Sequence, residues 1–433
     1  MHLSDTNPEP VNGSIPREGV RPSRPPHPSR KPRIALYSHD TCGLGHMRRN
    51  LLLAQTFAQT LRADILMITG AREATALSIP PGVDTLTLPA LFKQDDGLYR
   101  PRRFSFDVQE LIALRAQIIR SALEMFQPDV FIVDNVPRGA MGELDPALHY
   151  LRLDTPAHII LGLRDVLDTP ETVRRQWRAH ANFEAVRELY DAVWVYGDPA
   201  VYDLAEAYDF PREFRARMRF TGYLDAAARD EANAAPPNDL PPALRDEPFN
   251  LCVVGGGQDG AHLATLFAHA AQAHDTPGLI VTGPYMPAGA RERLHRLAET
   301  TPHLHVTRFV SAPTALFRRA GRVVSMGGYN TVCELLSTGK PALILPRLHP
   351  RKEQLIRAER LSRMGLLDVM LPAQATPGRL LGWLRQASAP HPPPRTRIDM
   401  RGLERLPALL AEALPTHFAP VPHPQPRLRH VAC

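Results

Sequence analysis

Short apolar runs alternate with longer stretches of helical periodicity along this chain, and the alternation happens twice. From Arg33 the runs are RIALYS, DILMITG, DVFIVD, HIILGLRD and AVWVYG. Each is nearly all apolar and stops at a polar residue or a glycine. That is the pattern of strands buried on both faces, hence parallel and covered by helices. Between the first two runs, Leu51, Leu52, Ala54, Phe57, Ala58 and Leu61 form a stripe at helical spacing. Strand, helix, strand is the grammar of a doubly wound α/β domain. It stops after RFTGYL (Arg219 to Leu224) in DAAARDEANAAPPNDLPPALRDEP, a segment rich in alanine, proline and charge that reads as a linker or flexible insert. It restarts with FNLCVVGGG, GLIVTG, LHVTRFV, RVVSMGG and PALILP. The expected fold class is therefore α/β, with two tandem Rossmann-like doubly wound domains facing a cleft. They cover residues 33–225 and 249–388, with a linker over 226–248. The length of 433 residues suits this division at about 100–200 residues per domain. A helical segment, 389–415, follows a Pro-rich break and can pack back on the first domain.

The formal charge of +6 is concentrated at the ends, in REGVRPSRPPHPSRKPR and PVPHPQPRLRH. Residues 1–32 and 416–433 read as disordered arms, too poor in apolar surface to fold. Their charge is mainly solubilising and allows a weak attraction to anionic membrane or to phosphate. Cys42, Cys252, Cys333 and Cys433 are scattered without a CxxC pair, so neither a zinc site nor a disulfide framework is expected, and a reducing compartment fits. The first thirty residues hold no apolar h-region. No stretch of about 18 apolar residues occurs. The expected location is cytoplasmic, with at most peripheral contact with the inner membrane face, and no nucleic-acid partner is expected.

Two glycine-rich turns stand at strand-to-helix junctions. The first, HDTCGLGH, lies between RIALYS and MRRNLLLAQTFAQTL. Ligands of such folds bind beyond the carboxyl ends of strands, near helix N-termini. Gly43 and Gly45 would let backbone N–H groups approach an anion, His46 opens the helix, and Arg48 and Arg49 add positive charge. An imidazole there suits proton transfer at neutral pH. A tight turn with a helix-start histidine explains the same residues. The second turn, GGGQDGA, follows FNLCVV and is not a P-loop, since no G-K-[ST] follows. The G-x-G-x-x-G register runs through Gly255, Gly257 and Gly260, but no acid ends GLIVTG, which argues against NAD. Two such turns in tandem domains suggest a phosphorylated ligand between them.

The most specific segment runs from RVVSMGGYNTVCELLSTGKPALILP to RKEQLIRAERL. A strand ends at Gly327-Gly328, a helix opens at Asn330 or Thr331, and Glu334 follows in its first or second turn. Such a helix end can hold a diphosphate, and Glu334 can accept hydrogen bonds from both hydroxyls of a ribose. Glu334 could equally complement the helix dipole.

SMGGYNTVCELLSTGKPALILP followed by EQLIRAERL resembles the donor-binding half of GT-B glycosyltransferases of the MurG, family 28 type. From about Arg33 to Met370 the chain resembles a bacterial group described only as predicted glycosyltransferases. The resemblance implies transfer of a sugar from a nucleotide-diphosphate sugar, UDP-linked, to an acceptor hydroxyl, without a metal or other cofactor. It assigns Gly256, Gly257 and Gln258 to the donor diphosphate turn, Asp259 being an insertion there. It assigns Phe309 and Val310 to the base, Gly327, Gly328, Asn330 and Thr331 to the diphosphate, Glu334 to the ribose, and Glu353 and Gln354 to the donor sugar. Gly43, Gly45, His46 and Arg48 fall on the acceptor-side turn, which here is not Gly-Gly-x-Gly-Gly-His. Charge on the leaving diphosphate would be met by backbone N–H groups, a helix N-terminus and basic side chains, with Arg308 and Arg351 as candidates. His46 is the first candidate for the base. Asp134 and Asp165, which end strands in VDNVPRG and GLRDV, come second, and either could instead be a cap or a salt-bridge partner. The acceptor is a sugar, polysaccharide or lipid-linked group that LPALFKQDDGLYRPRRFSF would suit. Two other readings compete. One is an enzyme of the UDP-N-acetylglucosamine 2-epimerase kind, and the other is a non-catalytic regulator that binds nucleotide sugar.

Overall fold

Seven parallel strands make the first sheet and six make the second. The computed structural model describes residues 30–39, 45–71, 79–93, 98–226, 240–245, 247–310, 313–386 and 394–414. Most of both terminal arms, most of the linker, Cys42, Gly43 and Cys433 lie outside the described residues.

In the first domain the strands are β1 (Arg33–Ser38), β2 (Asp64–Thr69), β3 (Val83–Thr87), β4 (Leu91–Lys93), β5 (Tyr99–Pro101), β6 (Val130–Asp134), β7 (His158–Arg164), β8 (Ala192–Tyr196) and β9 (Met218–Phe220). The helices are α1 (Gly45–Leu61), α2 (Val108–Phe126), α3 (Asp145–Asp154), α4 (Pro170–Ala179), α5 (Asn182–Leu189), α6 (Leu204–Ala207) and α7 (Arg212–Arg217). The sheet runs β3-β2-β1-β6-β7-β8-β9, and β4 and β5 form a separate antiparallel hairpin. The central strands are buried apart from terminal residues of β1 and β7, as their apolar runs require. In β3, VDTLT, exposed Asp84 and Thr87 interrupt the apolar side chains, because β3 is an edge strand.

The second domain contains β10 (Asn250–Val253), β11 (Gly278–Val281), β12 (Leu304–Thr307), β13 (Arg322–Ser325), β14 (Ala342–Ile344) and β15 (Asp368–Val369). Its helices are α8 (Ala261–Gln272), α9 (Ala288–Glu299), α10 (Pro313–Arg319), α11 (Tyr329–Thr338), α12 (Glu353–Arg363) and α13 (Pro377–Arg385), and α14 (Gly402–Ala413) follows. Strand order is β12-β11-β10-β13-β14-β15, all parallel.

Both sheets reverse their winding beside the first strand, between β1 and β6 and between β10 and β13. A crevice opens at the carboxyl ends of strands flanking such a reversal. The GGGQDGA turn stands there in the second domain and the start of α1 in the first.

The last helix returns to the first domain. The α14 helix packs on α1, Gly402 donates its N–H to the Tyr223 carbonyl at 3.0 Å, and Tyr223 donates to the Asp399 carbonyl at 2.8 Å. One apolar cluster links Met47, Leu51 and Phe57 of α1 with Val332 and Leu336 of α11 and Leu403, Leu406 and Leu410 of α14. The two domains therefore share buried apolar surface at their junction.

Candidate active site

The α1 helix begins directly after the first glycine turn, and β6 lies beside β1 with Tyr37 opposite Val133. His46 and Arg49, three residues apart on α1, thus face Asp134 at the end of β6. Arg49 clamps this carboxylate, with Nε 2.9 Å from Oδ1 and Nη2 2.7 Å from Oδ2. His46 Nδ1 hydrogen-bonds the other edge at Oδ2. Asp134 is only 1% exposed. Burial alone would raise its pKa, but Arg49 and then His46 outweigh burial and hold it below the ordinary carboxylate range. An ionised carboxylate can only accept, so Nδ1 carries the proton and Nε2 is left as the basic nitrogen. The ring of His39 lies 4.8 Å from that of His46. Burial, then the neighbouring His46, push the His39 pKa well below its usual value, which keeps it neutral. Behind Asp134, Arg115 donates to Glu143 (Nη2–Oε1, 2.8 Å), and the Tyr37 hydroxyl donates to the same carboxylate. This buried group braces the turn that follows β6.

The second domain presents its turns from the opposite side. Gly257 has φ +89°, and a Cβ there would sit 2.0 Å from the Thr282 carbonyl. Gly283, at φ +75°, faces Gly255 and Gly256 equally closely. The turn after β10 and the turn after β11 can pack this tightly only as glycine. The Tyr285 N–H bonds the Gly256 carbonyl at 2.9 Å. Gln258 is exposed beside them. Gly327 and Gly328 lead into α11, whose first turn carries Asn330 and Thr331 and whose second carries the half-buried Glu334.

The two halves touch at the site itself. Asn330 Nδ2 donates to the Gly45 carbonyl at 2.8 Å, which joins the turn expected to hold diphosphate to the residue before His46. The Arg48 guanidinium lies 5.5 Å from the centre of the Phe309 ring, also across the domain boundary. Val310 is buried in the core beside it, while Arg308 is exposed and donates to the Pro284 carbonyl at 3.2 Å.

Several of the residues assigned from the sequence are engaged by partners within the chain. Asp165 is saturated: Arg357 reaches it with Nε at 2.8 Å from Oδ2 and Nη2 at 2.7 Å from Oδ1, the Tyr223 hydroxyl donates at 2.9 Å, and the Val166 N–H donates at 2.8 Å. It has no lone pair free for an acceptor proton, so its place is an interdomain ion pair. Asp134 is likewise engaged, by Arg49 and His46. Glu353 Oε1 accepts from Arg347 Nη2 at 2.7 Å, and Gln354 Oε1 accepts from the Arg347 N–H at 3.0 Å. Arg347 also reaches Asp259, the inserted residue, at 3.0 Å. Glu353 Oε2 remains buried without a partner among the described residues.

Arg49 enters the sequence reading only as added positive charge beside the first glycine turn, and Arg164, Arg347 and Arg357 do not enter it as site residues. Arg357 had a signal, since it stands one helical turn after Glu353 on α12. Arg347 and Arg164 had none: Arg347 lies in the loop after β14 and Arg164 ends β7, and no motif marks either position.

Residues 250–404 match the model of the glycosyltransferase family 28 C-terminal domain. A UDP-N-acetylglucosamine–N-acetylmuramyl-(pentapeptide) pyrophosphoryl-undecaprenol N-acetylglucosamine transferase of Haemophilus influenzae is 28% identical over 159 residues, 36% of this chain and 44% of that protein. The enzyme of the same name from Salmonella typhi is 29% identical over 172 residues, 37% of this chain and 46% of that protein. The chain thus spans less than half the length of the curated relatives it matches. Over most of its length it is similar in fold to the glycotransferase of kitacinnamycin (TM-score 0.54, 19% identity, 88% of this chain and 95% of that one). The MurG structure of Acinetobacter baumannii is similar too (TM-score 0.50, 15% identity, 82% and 90%). These likenesses establish the GT-B fold, two Rossmann-like domains about a cleft. Among the described residues no helix is long and apolar enough to cross a membrane.

Proposed function

We propose that this chain, a GT-B protein whose second domain is of the glycosyltransferase family 28 type, moves a sugar from a nucleoside-diphosphate sugar, UDP-linked, to an acceptor hydroxyl. The observation that carries the reading is the hydrogen bond of Asn330 to the Gly45 carbonyl, 2.8 Å long. It sets a histidine–aspartate pair of one domain against the helix N-terminus of the other.

The chemistry follows from that placement. His46 Nε2 takes the proton of the acceptor hydroxyl as its oxygen bonds to the anomeric carbon. The bond from that carbon to the diphosphate oxygen breaks, and the electron pair leaves with the nucleoside diphosphate. Direct displacement of this kind inverts the anomeric centre. The imidazolium is stabilised by Asp134, which Arg49 fixes in place. Charge on the leaving group is met by N–H groups at Gly328 and the start of α11, in line with the positive end of the helix dipole. In this reading no cofactor takes part. Glu334 grips the ribose, and Phe309, under Arg48, flanks the base.

The acceptor is a sugar, a polysaccharide end or a lipid-linked group. A lipid-linked acceptor would bring the protein to a membrane surface. The hairpin of β4 and β5 supports an acceptor role, because Arg102 just beyond it lies over Tyr285 of the second domain at 5.6 Å. Calorimetry of the full chain with UDP, dTDP and GDP tests the reading. Binding of UDP with release of UDP from a UDP-sugar supports it, and no binding by any of the three contradicts it.

A further inference from the structure

We propose that Arg164 and Arg351, one from each domain, form a subsite for an anionic substituent, a carboxylate or a phosphate ester, on a sugar that reacts at His46. The proposal rests on the glycosyltransfer reading and names a substrate class within it.

Charge pairing around the cleft leaves these two side chains over. Arg49 is neutralised by Asp134, Arg357 by Asp165, and Arg347 by Glu353 and Asp259. Neither Arg164 nor Arg351 has a carboxylate within ion-pair distance among the described residues. Arg164 stands at the carboxyl end of β7, and its Nε is buried without a hydrogen-bond partner. Burial, together with the fields of Arg49, Arg351 and Arg357, pulls its pKa down to about 10, and only Glu353 acts in the other direction. Glu353 is 2% exposed, and its Oε2 is the second buried atom here without a partner. A third is Nδ1 of His39, the residue that flanks His46 and feels the field of Arg351. Three buried atoms without a partner thus belong to residues linked by their charges, Arg164 to Glu353 and Arg351, and His39 to His46 and Arg351.

The proposed subsite is distinct from the proposed diphosphate cradle. The cradle is the Gly327–Gly328 turn, whose Gly327 carbonyl is already bonded by Arg357 Nη1 at 3.0 Å. The Arg351–Lys352 segment is instead pinned to the first domain, where the Lys352 N–H donates to Asp168 Oδ1 at 3.1 Å, four residues beyond Arg164. A planar guanidinium can take a carboxylate or phosphate through two parallel hydrogen bonds. Glu353 Oε2 would accept a hydroxyl of the same sugar. The acidic group could sit on the donor sugar or on the acceptor, and one experiment separates the two.

Binding to the full chain is measured by calorimetry for UDP, UDP-glucose and UDP-glucuronate, and then for glucose, glucuronate and glucose 1-phosphate with UDP already bound. An acidic donor predicts that UDP-glucuronate binds tighter than UDP-glucose by on the order of ten-fold, the worth of a hydrogen-bonded charge. An acidic acceptor predicts binding of glucuronate or glucose 1-phosphate to the UDP complex and none of glucose. In either case Arg164→Gln and, independently, Arg351→Gln abolish the preference while affinity for UDP is retained, since Arg351 is assigned here to the sugar's acidic group and not to the diphosphate. Should UDP bind while neither series separates acidic from neutral sugars, the subsite is wrong and the transferase reading stands. A preference that survives in both variants also overturns the assignment. No binding of UDP at all would overturn the transferase reading and the subsite with it.

Discussion

Asp165 of the first domain and Arg357 of the second meet in a buried two-point ion pair, Nε–Oδ2 2.8 Å and Nη2–Oδ1 2.7 Å, with neither side chain more than 1% exposed. The same guanidinium bonds the Gly327 carbonyl at 3.0 Å and lies 5.7 Å from the centre of the Tyr329 ring. One side chain therefore ties the first domain to the Gly327–Gly328 turn of the second.

Removing one partner of such a pair strands a charge in the interior. Asp165→Asn should cost about 3–5 kcal/mol of stability in urea unfolding, the usual penalty for a broken buried pair. The double variant Asp165→Asn, Arg357→Met should recover part of it, because no unpaired charge remains. A loss below about 1 kcal/mol, the range of exposed pairs, would show that the latch does not hold the domains.

The donor side is tested at Glu334, which follows GGYNTVC on α11. If it binds the ribose, Glu334→Ala should weaken UDP binding by on the order of 1–3 kcal/mol, with the melting temperature nearly unchanged. Equal UDP affinity in calorimetry would take Glu334 out of the site.

Much of this was legible in the sequence, and the exceptions share a cause. Each central strand announced itself as an unbroken apolar run, because burial on both faces leaves no room for polar residues. Two of the edge strands carry no such run, VDTLT in β3 and the two residues of β15, and neither stands among the runs read as strands. The glycines at 255–257 and 327–328 were visible because close backbone packing admits nothing larger. Gly283 serves the same contact but stands alone, without a motif around it. The roles of Asp165, Glu353 and Gln354 were read from position along one domain. The partner of Asp165, Arg357, comes from the other domain and is distant in sequence, which local spacing does not encode, whereas Arg347 is close in sequence to Glu353 and Gln354 and pairs with them in the loop before α12.

Acid stability should report on the His46–Asp134–Arg49 group. The folded pKa of Asp134 lies below its unfolded value of about 3.9. Its contribution to stability is therefore complete above that value and is lost as the pH falls toward the folded pKa. Asp134→Asn should be less stable than the parent protein at pH 7, and the gap should narrow below about pH 4. A gap that stays constant between pH 7 and pH 3 in urea titrations would mean that Asp134 is not held ionised by its neighbours.

The central claim is that His46 removes the acceptor proton while the donor is held by the other domain. The direct measurement is turnover of a UDP-sugar, as transfer or hydrolysis, by His46→Ala alongside calorimetry with UDP on the same folded preparation. Loss of a general base predicts a fall in turnover of about 10²–10⁴-fold with the UDP dissociation constant nearly unchanged. Full turnover in folded His46→Ala would contradict the account.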